Sequence, residues 1–540
     1  MLETFTALLP ASILVVGALF CFIGGTTKLS KLVWGPFSLL TLAIAAVALS
    51  AMPQLMAKFV AADLALTDMV PAKVVIFDPL ARIVQFLTLI MGTLFAGMAF
   101  RQQADDDAAP EFYGLLLTLL SGLMVVASAN DLILLFLGLE LISIPTYVLI
   151  YLGKRDAKCQ EAAAKYFLLS VLSASVLLYG LSFLYGMTGS TNLTTIRGVL
   201  QQTYGITHGL VQPASVSKLG IISLVLIFAG LGFKLAAVPF HFYAPDVYQG
   251  TNAWNAGLLS IIPKAAGLIA LIRIVSYTMV GYEGFGQTVA LILALVTMTA
   301  GNVLALLQTN IRRMLAYSGV AHAGYMLVGI AVGFWESSLG LSQMGGSQFG
   351  LPVGIQASLL YLIAYSIVSA GFFAVLVFLA RPGQDVEHIE DLTGLWKSQP
   401  WLAVAAAIFL FSMAGIPPLP GFWGKLALFS GALGVRVDPS VASTPIPAFV
   451  VLAVVGMINA AIGGVYYLRI IALMFLHDPL STPQPRGGRP AMAAVTLCAL
   501  VTILFGLQSG PVLTLLRDVE QPAPAQVAKS PTALPLTAAK

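Results

Sequence analysis

The sequence predicts an all-α polytopic membrane protein with about fourteen transmembrane helices. Composition is the first reason: 59% of the 540 residues are hydrophobic and 9% charged, against about 45–50% and 25% in soluble domains. The second is spacing, because apolar runs near the roughly 20 residues needed to cross a bilayer recur along almost the whole chain. The third is charge, since Lys and Arg gather in alternate loops, as membrane topology demands. A net charge of +4 then reports orientation and points to no nucleic acid. Cys21, Cys159 and Cys498 lie far apart with no Cys-x-x-Cys or Cys/His cluster, which argues against an iron–sulfur or zinc centre in this chain.

The runs fall at about 4–25, 32–52, 80–100, 112–129, 131–152, 163–187, 217–238, 254–279, 286–307, 315–334, 355–380, 400–430, 446–476 and 491–516. Glu3 is the only charge ahead of the first run, so that run reads as a membrane helix and not as a cleaved signal. The fourth and fifth runs part at Asn130-Asp131. The seventh carries Lys234 just before Pro239, and a proline removes a backbone donor and breaks a helix. Pro417, Pro418 and Pro420 mark the twelfth as a second broken helix. Odd-numbered loops hold Lys28, Lys31, Arg101, Lys154, Arg155, Lys158, Arg312, Arg313, Arg381, Lys397, Arg486 and Arg489, whereas even-numbered loops hold Lys58, Lys73, Arg197, Lys218 and Arg436. The odd loops are therefore expected on the cytoplasmic side, with both termini outside.

A weak internal repeat organises the middle of the chain. Ser170-Val-Leu-Ser173-Ala174 in the sixth run recurs as Ser366-Ile-Val-Ser369-Ala370 in the eleventh, an offset of 366 − 170 = 196, and Lys234 and Lys425 are offset by 425 − 234 = 191. If spans 4–8 repeat as spans 9–13, each unit holds five helices, and an odd number makes the second copy inverted. The expected division is helices 1–3 (residues 1–110), a first repeat (111–280), a second, inverted repeat (281–480), helix 14 (481–517) and a Pro- and Ala-rich disordered tail (518–540).

Ionisable residues inside these runs carry the chemistry. Glu140 lies in the fifth run, Lys234 in the broken seventh, Lys264 in the eighth and Lys425 just past the prolines of the twelfth. An ionised Lys at a bilayer centre costs about 2.5–3.5 kcal/mol, so four such groups inserted singly cost on the order of 10 kcal/mol, comparable to the stability of a whole domain. Pairing, or hydration along a polar route, explains them better. A lysine whose charged form is stabilised only while a carboxylate is near can take up and release a proton as that partner approaches and recedes. The plainer alternatives are a protonated packing carboxyl for Glu140 and interfacial snorkelling for the lysines. His322 in the tenth run suits proton relay or is a neutral packing residue, and His241 after the break lines the same route or caps freed carbonyls. Lys165 reads as interfacial, Arg273 and Arg469 as structural or snorkelling, and the Gly and Ser residues of the sixth and eleventh runs as close-packing positions.

The stretch from Ala127 through Asn130-Asp131 to Gly138-Leu-Glu140 and Pro145 resembles the N subunit (the mitochondrial subunit 2 type) of proton-pumping NADH-quinone oxidoreductase, complex I. So do Glu161-Ala-Ala-Ala-Lys165-Tyr-Phe, Pro239-Phe-His241 with Ala244-Pro-Asp-Val-Tyr-Gln-Gly250, and Pro263-Lys264-Ala-Ala-Gly267. The likeness continues through Asn310-Ile-Arg-Arg-Met-Leu-Ala-Tyr-Ser318, Ile389-Glu-Asp-Leu-Thr-Gly-Leu395, and Gly415-Ile-Pro-Pro with Gly421-Phe-Trp-Gly-Lys425, covering about residues 75–475.

The resemblance implies an antiporter-like, proton-translocating subunit in the membrane arm of a hetero-oligomer, embedded in a bacterial inner membrane beside the other membrane-arm subunits. It implies Glu140 and Lys234 as a charge pair, Lys264 as the central relay and Lys425 in the far half-channel. It also implies that FMN, iron–sulfur clusters and quinone sit on other subunits, with no cofactor in this chain. Three departures stand out: Thr251-Asn-Ala-Trp-Asn255 replaces the family's usual Ala-Pro-Thr-Pro-Val, Gly319 replaces a usual Ser, and Pro420 adds to the usual pair of prolines. The alternatives are a subunit of a multisubunit sodium/proton antiporter, which shares the fold, and a solute permease, disfavoured because the titratable groups form a chain with no substrate-like cluster.

Overall fold

The computed structural model describes residues 6–27, 30–63, 73–101, 106–153, 156–204, 217–276, 278–338, 352–380, 386–435, 446–479, 487–508 and 510. A helix stands at each expected run. In chain order these are α1 (Leu9–Gly25), α2 (Trp34–Asp63), α3 (Pro79–Ala99), α4 (Ala109–Ser128), α5 (Leu132–Gly153) and α6 (Ala157–Thr188). There follow α7a (Lys218–Leu235) with α7b (Tyr243–Gly250), α8 (Ala253–Leu271), α9 (Glu283–Leu306), α10 (Ile311–Ser338) and α11 (Val353–Leu379). The series closes with α12a (Pro400–Ala414) and α12b (Pro420–Gly434), α13 (Pro447–Leu476) and α14 (Gly488–Leu507). Twelve of them are long and apolar enough to cross a membrane; α1 and α12a are shorter apolar helices. Lys28, Lys154, Arg155, Arg381, Arg436, Arg486 and the tail from residue 518 lie outside the described residues.

Local chemistry sets the helix limits. Asp78 accepts from Ala81 N at 2.8 Å ahead of Pro79, an N-cap followed by proline at the first helical position. Asp156 does the same for α6 through Cys159 N at 2.7 Å, and α6 stops at Gly189 with φ +68°, the left-handed stop that glycine accepts without strain. Two elements differ from expectation. Leu193–Thr203 forms a helix between α6 and α7a, capped by Asn192 and burying Leu193, Ile196 and Leu200 on one face; it is too short and too polar to register as a membrane run. Residues 243–250, expected as a connecting loop, form α7b.

The two breaks share one construction. α7a ends at Ala236 (φ +57°) before the cis Val238-Pro239 peptide, and α12a ends at Gly415 (φ +91°) before the cis Pro417-Pro418 peptide. Their features are separated by the same offset, 415 − 236 = 179 and 418 − 239 = 179. Lys234 lies in the last turn before its break, however, and Lys425 lies beyond its own, inside α12b. The offset of 191 therefore pairs two lysines that occupy opposite sides of matched breaks.

Buried arginines tie the helices together. Arg273, in the π-helical turn that ends α8, is 4% exposed, so the snorkelling alternative does not hold. Its Nη1 and Nη2 donate to Asp78 Oδ2 and Oδ1 at 2.6 and 2.7 Å, and Nη2 also donates to Ala127 O. Arg469, by contrast, is exposed. At the other end of the bundle the fully buried Arg312 donates to Thr251 O at 2.6 Å and Glu387 Oε1 at 3.2 Å. Arg313 donates to Asp246 Oδ1 at 2.7 Å, and Lys165, half-exposed, donates to Asp246 Oδ2 at 3.2 Å while pairing with Glu161. Asp246 on α7b thereby joins α6 to α10.

Removing one partner of a buried ion pair leaves a lone charge and costs about 3–5 kcal/mol. Arg273→Ala is expected to lower the melting midpoint and yield of the purified protein, and Asp78→Asn in the same background to restore part of the loss. A melting midpoint equal to wild type in Arg273→Ala overturns this role.

Candidate functional site

Glu140 stands in the middle of α5, partly buried, and its Oε1 is enclosed with no hydrogen-bond partner. One helical turn further on, Ser143 Oγ accepts from Lys234 Nζ at 2.5 Å, and Ser170 Oγ on α6 accepts from the same Nζ at 3.1 Å. Glu140 and Lys234 form no ion pair in this structure; the lysine is instead held by two hydroxyls one turn from the carboxylate. Ser170, expected as a close-packing residue, takes a polar role that is visible only with α6 and α7a docked. Its neighbour Ser173 does pack α6 on α7a, donating to Gly230 O at 2.8 Å.

The groups freed at the first break are satisfied within the protein. Ala236 N donates to Phe233 O, Ala237 N to Gly232 O, and Val238 N to Thr297 Oγ1 on α9 at 3.0 Å. His241 lies in the gap between α7a and α7b, half-buried, with its Nδ1 enclosed and unpartnered and its ring 6.4 Å from that of Tyr317.

Lys264 is central to α8 and 2% exposed. Its Nζ has no hydrogen-bond partner and stands 5.6 Å from the Tyr365 ring centroid, within cation–π range. The space it fills is provided by Gly319, where an added Cβ would collide with Nζ. One turn along α8, Gly267 packs against the stem of Lys234, since a Cβ there would lie 3.0 Å from Lys234 Cβ. This close approach seats Lys234 against the helix that carries Lys264.

From Lys264 the line continues through aromatic rings. Tyr365 also faces His322, ring to ring at 4.7 Å. His322 is buried, with Nδ1 2.6 Å from Tyr361 Oη and Nε2 3.0 Å from Tyr467 Oη; Tyr467 bonds in turn to Ser318. One turn past His322, the Tyr325 ring lies 5.1 Å beneath Lys425 Nζ. Lys425 is buried and donates to Met413 O and Ala414 O, both at 2.9 Å. It thereby satisfies carbonyls left open where α12a stops, the negative pole of that half-helix.

The structure thus gathers Lys264, His322 and Lys425 around shared tyrosine rings, with Lys234 buried against α8, Glu140 one turn of α5 from the Ser143 that holds Lys234, and His241 in the gap between α7a and α7b. Sequence reasoning missed Ser143, Ser170, Tyr361, Tyr365, Tyr325 and Tyr467. A signal existed for two of them: Tyr361 and Tyr365 are spaced i, i+4 on one face of α11. Among the described residues no group of three or more His, Cys, Asp or Glu side chains is arranged to hold a metal.

A bundle of this size with two broken helices and a buried line of lysines defines an antiporter-like membrane subunit. The profile of the family described as "NADH:quinone oxidoreductase/Mrp antiporter, TM" matches residues 129–344 and 337–446. The NADH-quinone oxidoreductase subunit N 2 of Roseiflexus castenholzii is 38% identical over 413 residues, covering 76% of each chain. Subunit N of Myxococcus xanthus is 34% identical over 95% of this chain and 96% of its own. Among solved structures, a chain of respiratory complex I from Thermus thermophilus superposes with a TM-score of 0.71 at 28% identity, covering 94% of this chain and 99% of that one. The chain belongs to this family, among the N subunits of NADH-quinone oxidoreductase.

Gly319→Ala tests how tightly Lys264 is framed. The displaced atom is the far end of a flexible side chain, so the protein is expected to fold and assemble normally. Proton transport in sealed vesicles is expected to fall several-fold as the ammonium leaves its place over Tyr365; transport at the wild-type rate contradicts this.

Proposed function

We propose that this chain conducts protons across the membrane as the N-type membrane-arm subunit of an NADH-quinone oxidoreductase. The observation that carries the reading is the buried series Lys264, His322 and Lys425, bridged by tyrosine rings, with buried Lys234 packed against the same helix α8. Isolated charges so placed would be costly, and the line supplies what a proton route needs: titratable groups in sequence, each in reach of the next through hydroxyls or a few waters. Glu140, one turn of α5 from the Ser143 that holds Lys234, is suited to bias that lysine's charge when the carboxylate swings toward it. The unpartnered Lys264 Nζ and His241 Nδ1 are places where water completes the route, since buried polar atoms without protein partners are where internal waters bind.

In this reading the basic ends of the helices, including Arg312 and Arg313, face the cytoplasm, both termini face the periplasm, and the membrane is the bacterial inner membrane. Electrons travel elsewhere: FMN, iron–sulfur clusters and quinone belong to other subunits, and this chain contributes the ion path alone. The pocket of about 230 Å³ bordered by Lys158, Glu161, Lys165, Asp246 and Gln249 lies on the cytoplasmic side in this orientation and gives solvent access to α7b.

Lys234→Ala and Glu140→Ala are each expected to leave the complex assembled while lowering proton pumping and the coupled quinone reductase rate. Wild-type pumping by both variants in sealed vesicles sinks the assignment. A purified complex that exchanges sodium for protons and oxidises no NADH supports the sodium/proton antiporter reading instead.

A further inference from the structure

A second set of buried polar groups, apart from the relay residues, joins α9 to α13. α13 turns a stripe of buried residues inward, among them Gly456, Asn459, Gly463 and Tyr466, spaced three and four apart. Asn459 Nδ2 donates to Val455 O at 3.0 Å and to Thr299 Oγ1 on α9 at 3.1 Å, which leaves its Oδ1 toward Asn302, also on α9. Asn302 is 1% exposed. Its Nδ2 donates to Met298 O at 2.8 Å and to Tyr325 Oη at 3.1 Å, with Asn459 Oδ1 3.4 Å away, and its Oδ1 accepts from Tyr466 Oη at 3.1 Å. Met298 O and Asn459 Oδ1 can only accept, so they fix which end of the Asn302 amide faces them. The Tyr325 hydroxyl, on that same side, is therefore held by a donor.

Small residues make this meeting possible. A Cβ on Gly463 would lie 3.0 Å from Asn302 Oδ1, and one on Gly301 or Gly324 would lie 2.5 Å from the main-chain nitrogen of Ala321 or Met298, so α9 and α10 touch backbone to backbone. The Tyr325 ring that Asn302 holds is the one beneath Lys425 Nζ, 5.1 Å from its centroid. His322 on α10, Tyr361 on α11 and Phe429 on α12b stand around the same ring at 6.0 Å. An aromatic face attracts a cation and its edge repels one, so what this ring offers Lys425 depends on its tilt. The hydroxyl is the ring's far tip, and Asn302 pins it. The tilt is thus set from α9 and α13, and not from the helix that carries the lysine.

We propose that Asn302 is a positioning residue for Lys425: its amide tethers the Tyr325 hydroxyl so that the ring stays face-on to the ammonium, and Asn459 and Tyr466 of α13 hold the amide in turn. The inference rests on the proton-conducting reading above. Asn302 touches no relay group itself and moves no proton; it acts through the ring. A shift of α13 against α9 would pull on Asn302 through Asn459 and Tyr466 and so retilt the ring under Lys425.

The test uses the whole complex in sealed vesicles, reading protons pumped per electron alongside assembly on native gels. Asn302→Ala removes the donor, and Tyr325→Phe keeps the ring and removes the hydroxyl that receives it. Each is expected to assemble and to pump about three-fold less, the low end of what a cation over a ring contributes, with the pH profile of pumping displaced equally in both. The double variant is expected to match either single one, because both cut the same bond. Losses that multiply in the double variant, at an unmoved pH profile, are the mark of mere packing and overturn the tether. Wild-type pumping by Tyr325→Phe beside a loss in Asn302→Ala overturns it as well. Lys264→Ala runs beside them as the control for the reading itself. If Lys264→Ala abolishes pumping but Asn302→Ala and Tyr325→Phe both pump as wild type, the positioning role is wrong and the proton path stands. If Lys264→Ala also pumps as wild type, the underlying reading fails. Should Asn302→Ala fail to assemble, Tyr325→Phe alone decides: undiminished pumping overturns the tether, and a loss of about three-fold with a displaced profile upholds it.

Discussion

A helix that stops inside a bilayer leaves amide and carbonyl groups with no water to receive them, and this chain stops two helices there. Each stop is closed from within the fold. At α7a the left-handed residue Ala236 turns two amides back onto Gly232 and Phe233, and Thr297 from α9 takes the amide of Val238. At α12a, Gly415 makes the turn, and a lysine from the far side of the break lies on the last carbonyls. The functional groups and the structural repair are thus partly the same atoms. Removing Lys425 takes away a titratable group and also uncovers a helix end.

Between the breaks, small residues decide which charges come near one another. Gly267 lets the stem of Lys234 lie against α8, and Gly319 leaves the space that the Lys264 ammonium fills. Tyrosine rings then bridge the larger gaps, Tyr365 between Lys264 and His322, and Tyr325 between His322 and Lys425. A ring face favours a cation without removing its proton, whereas a hydroxyl can exchange one. The lysines of this chain are held in both ways: Lys234 by two serine hydroxyls, Lys264 and Lys425 over rings.

Much of this was legible in the chain itself, for reasons that can be stated residue by residue. Apolar run length located the fourteen spans because backbone hydrogen bonding leaves no other way to cross. Pro239 and the prolines at 417, 418 and 420 located the breaks. Cost alone singled out Glu140, Lys234, Lys264 and Lys425. Ser143, Ser170, Tyr325 and Tyr467 were not legible, and Tyr361 and Tyr365 only as a pair on one face of α11, since a buried serine or tyrosine costs little and is common in any bundle; docking is what brings each against a buried titratable group. The atypical segment at 251–255 is likewise explained by contacts distant in sequence. Asn252 caps α8 through Asn255 N at 2.8 Å, Asn255 donates to Leu149 O, and Trp254 donates to Phe95 O on α3. An asparagine cap thus starts α8 in this chain.

The placement of Lys234 and Lys425 on opposite sides of matched breaks separates hinge geometry from electrostatics. Counted from the breaks, the position matching Lys234 is Met413 (234 + 179 = 413), and that matching Lys425 is Asp246 (425 − 179 = 246). The two cations also find different partners: Lys234 donates to hydroxyls on α5 and α6, whereas Lys425 reaches back across the gap to the carbonyl pole of α12a. The hinge geometry has been kept in both halves while the cation beside it has changed both its address and what it leans on. A comparison of the halves by position therefore recovers the breaks and misses the charges.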